Sequence, residues 1–130
     1  MAPPGDAVAP DLGGAFVVHH HIRPQGDHDD WMFEAGSALI TFQCPLAPEA
    51  LSAGEVVTVR RLADHRRAYL TYEGPVSGDR GRVRIVDRGR YEARIAPDGT
   101  WRIRMEGGAS AGRFRLTPAG NDRYQLGREG

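Results

Sequence analysis

The sequence predicts an all-β fold: a single antiparallel β-barrel of about eight or nine short strands with at most short helical turns. Three observations point to it. Short β-branched and aromatic segments recur at roughly 8–12-residue spacing. Gly, Pro and Asp clusters punctuate them, as tight turns require. No long stretch repeats its apolar residues with the period of a helix. The chain has 130 residues, a length that suits one domain and can bury a core without staples.

Residues 1–14 (MAPPGDAVAPDLGG) read as a disordered tail, and 15–130 as the domain. Strands are expected at about 15–21, about 29–35 and 38–43. The loop from Pro45 to Ala53 has room for one helical turn at 48–52, and 54–61 alternates as a strand. The aromatic, β-rich stretch from Tyr69 to Glu73 reads as another strand. Arg82 to Val86 alternates strictly, with Val83 and Ile85 expected inward and the arginines outward. Asp87-Arg88-Gly89 and Pro97-Asp98-Gly99 read as turns. The strands expected at 90–95, 100–105, 112–117 and 123–126 complete the chain.

No window approaches the ~20 apolar residues of a membrane helix. Met1 to Gly14 lacks a basic start and a hydrophobic block, so no signal peptide is expected. Cys44 is the sole cysteine, which excludes an internal disulfide and suits a reducing, cytoplasmic setting. Followed by Pro45 in an apolar stretch, Cys44 reads as a buried structural thiol. All 17 basic residues are arginine and are matched by 17 acids. Residues 1–59 hold one basic and eight acidic residues, and 60–130 hold sixteen and nine. The first half is therefore acidic and the second basic. Arginine's planar fork suits phosphate oxygens, although codon bias also favours Arg over Lys. Arginines 82, 84, 102, 104, 113 and 115 alternate with apolar residues. They read as a solvated face, or as a phosphate track if several line one groove.

Four of the five histidines fall between His19 and His28, beside Asp27, Asp29 and Asp30. Imidazole and carboxylate are ligands for zinc, manganese and iron. Strand alternation puts Val17, His19 and His21 on one face and Phe16, Val18 and His20 on the other. It likewise puts His28, Asp30, Met32 and Glu34 opposite Trp31 and Phe33. With Arg23-Pro24-Gln25-Gly26-Asp27 as the turn, a hairpin can bring His21 beside His28 and Asp30. A histidine run also occurs in solvated loops and purification tags, but these three are internal and follow an apolar run. His65 stands apart from the cluster and, on a strand, would share a face with Arg67 and Tyr69. A lone histidine is more often structural than catalytic.

Four blocks resemble the 3′-phosphoesterase domain of bacterial DNA ligase D, which also occurs as short stand-alone proteins. They are Phe16-Val17-Val18 leading to His21, then His28-Asp29-Asp30 through Glu34; Asp64-His65 through Tyr69 to Tyr72-Glu73-Gly74; Gly78 to Gly81, then Val86-Asp87-Arg88-Gly89-Arg90-Tyr91-Glu92; and Ile103 to Gly107 with Gly112 to Leu116. They run from about Phe16 to the last strand. The resemblance implies that His21, His28 and Asp30 hold a divalent ion, manganese first, with zinc or another ion as the alternative. It gives His65 a phosphate-contacting catalytic role and places Tyr69 nearby. DNA 3′ ends are the implied substrate, through removal of a 3′-phosphate or 3′-ribonucleotide in end repair. DNA end-joining proteins are implied partners of a monomeric, non-membrane protein. The family's arginine two residues after the metal-binding Asp is Met32 here, and its lysine after a Pro is Leu46. Arg67 is the expected substitute for the missing charge. Two other readings stand beside this one. The first is a catalytically weak or inactive DNA-end-binding module. The second is a non-haem oxygenase using His28, Asp30 and His65, which the short chain disfavours.

Overall fold

A computed structural model describes residues 9–108 and 110–129. Ten strands follow one another: β1 (Leu12–Ile22), β2 (His28–Ala35), β3 (Ala38–Cys44), β4 (Val56–Arg61), β5 (His65–Arg66), β6 (Gly74–Pro75), β7 (Arg82–Ile95), β8 (Trp101–Gly107), β9 (Gly112–Gly120) and β10 (Arg123–Arg128). Eight of them close an antiparallel barrel in the order β1-β2-β3-β4-β10-β9-β8-β7, with β7 returning to β1. Among the described residues the helical elements are two short 3-10 turns, at Pro48–Ala50 and Arg67–Leu70. Closure leaves no open barrel edge for another chain to pair with.

The interior is packed with side chains, not hollow. Phe33, Phe42, Trp101 and Tyr91 meet edge to face or tilted, with Phe33 4.9 Å from Tyr91 and Phe42 5.5 Å from Trp101. Such pairs add to the apolar area they bury. The polar tips of two core aromatics are satisfied: Trp31 Nε1 donates to the Leu46 carbonyl at 3.0 Å, and the Tyr91 hydroxyl to the Glu34 carbonyl at 2.5 Å. One barrel end is capped by the 48–51 segment. Leu51 joins the core, while Arg128 donates to the carbonyls of Leu51 and Pro48 and lies 4.7 Å from the Phe114 ring. Cys44 sits in the core, where burial pushes its thiol up to about 12.

Four local expectations change. Strand β1 starts at Leu12, so residues 12–14 pair with β7, and the Asp11 amide donates to Ala93. Residues 1–8 of the expected tail lie outside the described residues. Residues 69–73 are not a strand, because Arg67–Leu70 forms a 3-10 turn. Residues 87–89 are not a turn, because β7 runs unbroken through them. Asp87 accepts from the Arg88 and Gly108 amides at 2.8 and 3.0 Å, which satisfies a buried carboxylate within the strand. At Gly89 an added Cβ would stand 2.1 Å from the Glu106 carbonyl oxygen, so glycine serves a close backbone approach there.

The fourth change concerns the faces of β7. Val18 pairs with Asp87 but His19 pairs with Ile85, leaving Val86 as a bulge. The extra residue inverts the alternation. Val83 and Ile85 therefore share the outer face with His21 and His19. Arg82 and Arg84 lie on the other side, with Ile22 and His20, but remain exposed, and Val83 is buried, as the alternation predicts.

Candidate metal centre

The outer wall of β1, β2 and β3 is crossed by a strap. The chain leaves β4, pairs briefly with β3 as β5, makes the 67–70 turn, and reaches β7 as β6. Tyr69 and Leu70 pack with Ile85 onto Val17, Met32 and Leu39, each no more than 1% exposed. This second apolar cluster explains why the outer faces of β1 and β2 alternate into hydrophobic residues at all.

His21 and His28 are directly opposed in the β1–β2 ladder. Asp30 lies two residues along β2 on the same face. The ligand atoms of His21, His28 and Asp30 all lie within 4.8 Å of one another. Two atoms bound at about 2.1 Å to one ion stand ~3–4 Å apart. Here His28 Nε2 is 3.0 Å from Asp30 Oδ1, and His21 Nδ1 is 3.8 Å from Asp30 Oδ2. Asp30 Oδ1 is buried and makes no aligned hydrogen bond, and neither does His28 Nδ1. Leaving buried polar atoms unmatched is costly, and an ion would satisfy the carboxylate. His21 Nε2 donates to the Arg80 carbonyl at 2.6 Å. A carbonyl can only accept, so Nδ1 keeps its lone pair toward Asp30. A metal-binding histidine is held in this way by its outer nitrogen. The three residues therefore fit a divalent ion, and their nitrogen and oxygen donors suit manganese, zinc or iron.

His65 and Tyr69 belong to the strap, which reaches this group by way of His19. His65 Nδ1 donates to the Ala63 carbonyl at 3.0 Å, which leaves Nε2 free. The Tyr69 ring meets both His65, 5.7 Å away, and His19, 6.0 Å away, edge to face. His19 pairs with Asp30 across the ladder, so it links the strap to the ligands. Burial holds its imidazole below the ordinary value, against the pull of Asp30 and of a backbone hydrogen bond at Tyr69. His19 Nε2 is buried without a partner. Its face was legible from strand alternation, but nothing in the sequence distinguished it from its neighbours as part of the site.

The remaining expected residues are placed differently. Arg67 Nη1 pairs with the Glu34 carboxylate and donates to the Gly36 carbonyl at 3.2 Å. The 3-10 turn removes it from a strand face shared with His65 and Tyr69. Met32 is on the face of Asp30 but lies beneath the strap, and Leu46 packs against the core. His20 faces away from the triad and contacts Asp29 at 2.9 Å and Asp27 at 3.2 Å. Burial raises the Asp29 carboxyl above its ordinary range, with His20 opposing. Among the described residues, the ligand group that converges contains His21 and not His65.

Arginines 102, 104, 113 and 115 stand on β8 and β9, across the barrel from β2 and β3. There Arg104 pairs with Glu92 at 3.5 Å and Arg115 with Glu129 at 2.7 Å. They do not share a wall with the candidate metal centre. No helix among the described residues is long and apolar enough to cross a membrane. Comparison with protein-family models and with curated proteins finds no match to this chain.

Proposed function

We propose that this chain is a metal-dependent phosphoesterase acting on DNA 3′ ends, with manganese as its first choice of ion. The observation that supports it most is the convergence of His21, His28 and Asp30 beside a strap carrying His65 and Tyr69. An ion bound there would polarise a phosphoryl oxygen and lower the pKa of a bound water. His65 is anchored at Nδ1 and presents Nε2. In its protonated form it donates from Nε2 to the departing 3′ oxygen as the P–O3′ bond breaks. A water oxygen forms the new P–O bond, yielding inorganic phosphate and a 3′-hydroxyl. Tyr69 packs edge to face on the His65 ring and helps keep it in place. The same site accommodates a 3′-ribonucleotide end, and a role in DNA end repair with end-joining partners follows from that substrate.

The test is phosphate release from a primer–template ending in a 3′-phosphate. Release should need added manganese and should disappear in Asp30→Ala and His65→Ala. DNA binding without release at any divalent ion would leave an end-binding module and exclude the hydrolase.

A further inference from the structure

The outer wall next to the candidate metal centre carries one continuous row across four strands. Asp30 pairs with Gln43, Gln43 with Arg60, and Arg60 with Arg123. All four point outward, because Trp31, Phe42, Val59 and Tyr124 beside them point in. A groove of ≈ 410 Å³ follows this row, lined by His28 at one end and by Gln43, Thr58, Arg60 and Arg123 beyond. Arg23 and Asp27 of the β1–β2 loop border it too, on the His28 side, where Asp27 already contacts His20 at 3.2 Å.

Arg60 and Arg123 are directly opposed like charges, which destabilises a β-ladder. Among the described residues, neither has an acidic side chain within ion-pair distance. On β8 and β9 the arginines are also opposed, Arg102 to Arg115 and Arg104 to Arg113. There, however, Glu92 and Glu106 pair with Arg104 and Glu129 with Arg115, and that wall lies across the barrel from the candidate metal centre. An anion in the groove would relieve the Arg60–Arg123 repulsion and would lie in line with the site.

We propose that Arg60 and Arg123 form a phosphate track that holds the DNA strand leading into the His21–His28–Asp30 site. Strands lie about 4.8 Å apart, so the two guanidinium-bearing positions stand roughly 10 and 15 Å from Asp30. A duplex strand rises about 3.4 Å per nucleotide, so the track meets phosphates roughly three to four nucleotides from the end. The contacts are to backbone and read no base. The wall of β8 and β9 takes no part. This track rests on the phosphoesterase reading only for where the DNA end lies.

The experiment measures binding of a labelled DNA ending in a 3′-phosphate by fluorescence anisotropy over a salt series. The double variant Arg60→Ala with Arg123→Ala should bind about tenfold more weakly. Its log-affinity against log-salt slope should be shallower by about 1.4–1.8, the loss of two phosphate contacts. The control double variant Arg102→Ala with Arg113→Ala should bind as the parent does. Manganese titration should be unchanged in both. A mononucleoside 3′-phosphate, too short to reach the track, should bind the double variant and the parent equally. Arg123→Gln, at the exposed end of the row, carries the test if the double variant fails to fold, with a loss of about one contact. Parent-like DNA binding in the track variants overturns the proposal. So does an equal loss in the control, or no DNA binding by the parent. Loss of DNA binding in the track variant, in a protein that releases no phosphate, would retire the hydrolase and keep the track.

Discussion

The resemblance drawn from the sequence implies an arginine at the position of Met32, and Met32→Arg separates two accounts of that position. If the position faced an open phosphate site, the arginine would be tolerated and would strengthen anion binding. The structure argues otherwise. Met32 is 1% exposed, and Val17 and Leu39 beside it are fully buried. Tyr69 and Leu70 of the strap lie over all three. Removing the thioether in Met32→Ala should cost about 2–5 kcal/mol, as for other large-to-small core changes. At about 4 °C per kcal/mol for a domain of this size, the melting temperature should fall by roughly 8–20 °C. Met32→Arg must in addition bury a guanidinium without a partner or lift the strap into solvent, and it should be the worse of the two. Thermal unfolding followed by circular dichroism measures both, and proteolysis at 65–75 reports whether the strap has lifted. A Met32→Arg protein that melts within about 2 °C of the parent, with an intact strap, would refute the buried-floor reasoning.

Three further outcomes are expected. At Gly81, with φ +84, an added Cβ would stand 1.9 Å from the Ile22 carbonyl oxygen. Gly81→Ala should therefore displace the neighbouring Arg80 carbonyl from His21 and weaken metal binding by about 10–100-fold, read by manganese titration of the folded variant. The Glu34 carboxyl lies below its ordinary range, chiefly because the Ala15 amide donates to it and Arg67 pairs with it. A depressed carboxyl contributes stability above its unfolded pKa and loses it as pH falls through the folded one. Glu34→Gln should thus narrow the stability difference between neutral and acidic pH, measured by urea unfolding at each. The Cys44 thiol, buried and pushed up to about 12, should resist thiol reagents at neutral pH until denaturant unfolds the barrel.

Much of the barrel, and the convergence of His21, His28 and Asp30, was readable from alternation. The faces of β1 and β2 follow from which residues are aromatic or β-branched, and the ladder brings His21 against His28 as those faces require. Ladder geometry also explains what was not readable. Asp87 and Gly89 carry turn chemistry, but the Arg88 and Gly108 amides and the close Glu106 backbone use it inside a strand. The bulge at Val86 cannot be read from a strictly alternating segment, because its position depends on the register with β1. Arg67 was misplaced because a two-residue strand followed by a 3-10 turn looks like one longer strand by composition. The Arg60–Arg123 row joins residues far apart in the chain, and only strand order makes them neighbours.

The most direct measurement of the central claim is manganese binding by the intact chain, followed by the electron paramagnetic resonance signal of the free ion. The parent should take up one ion per chain. Asp30→Ala and His28→Ala, which each remove a donor from the converging group, should abolish that uptake while keeping the β-sheet circular dichroism of the parent. Uptake that persists undiminished in both variants, or a folded parent that binds no divalent ion, would contradict the account.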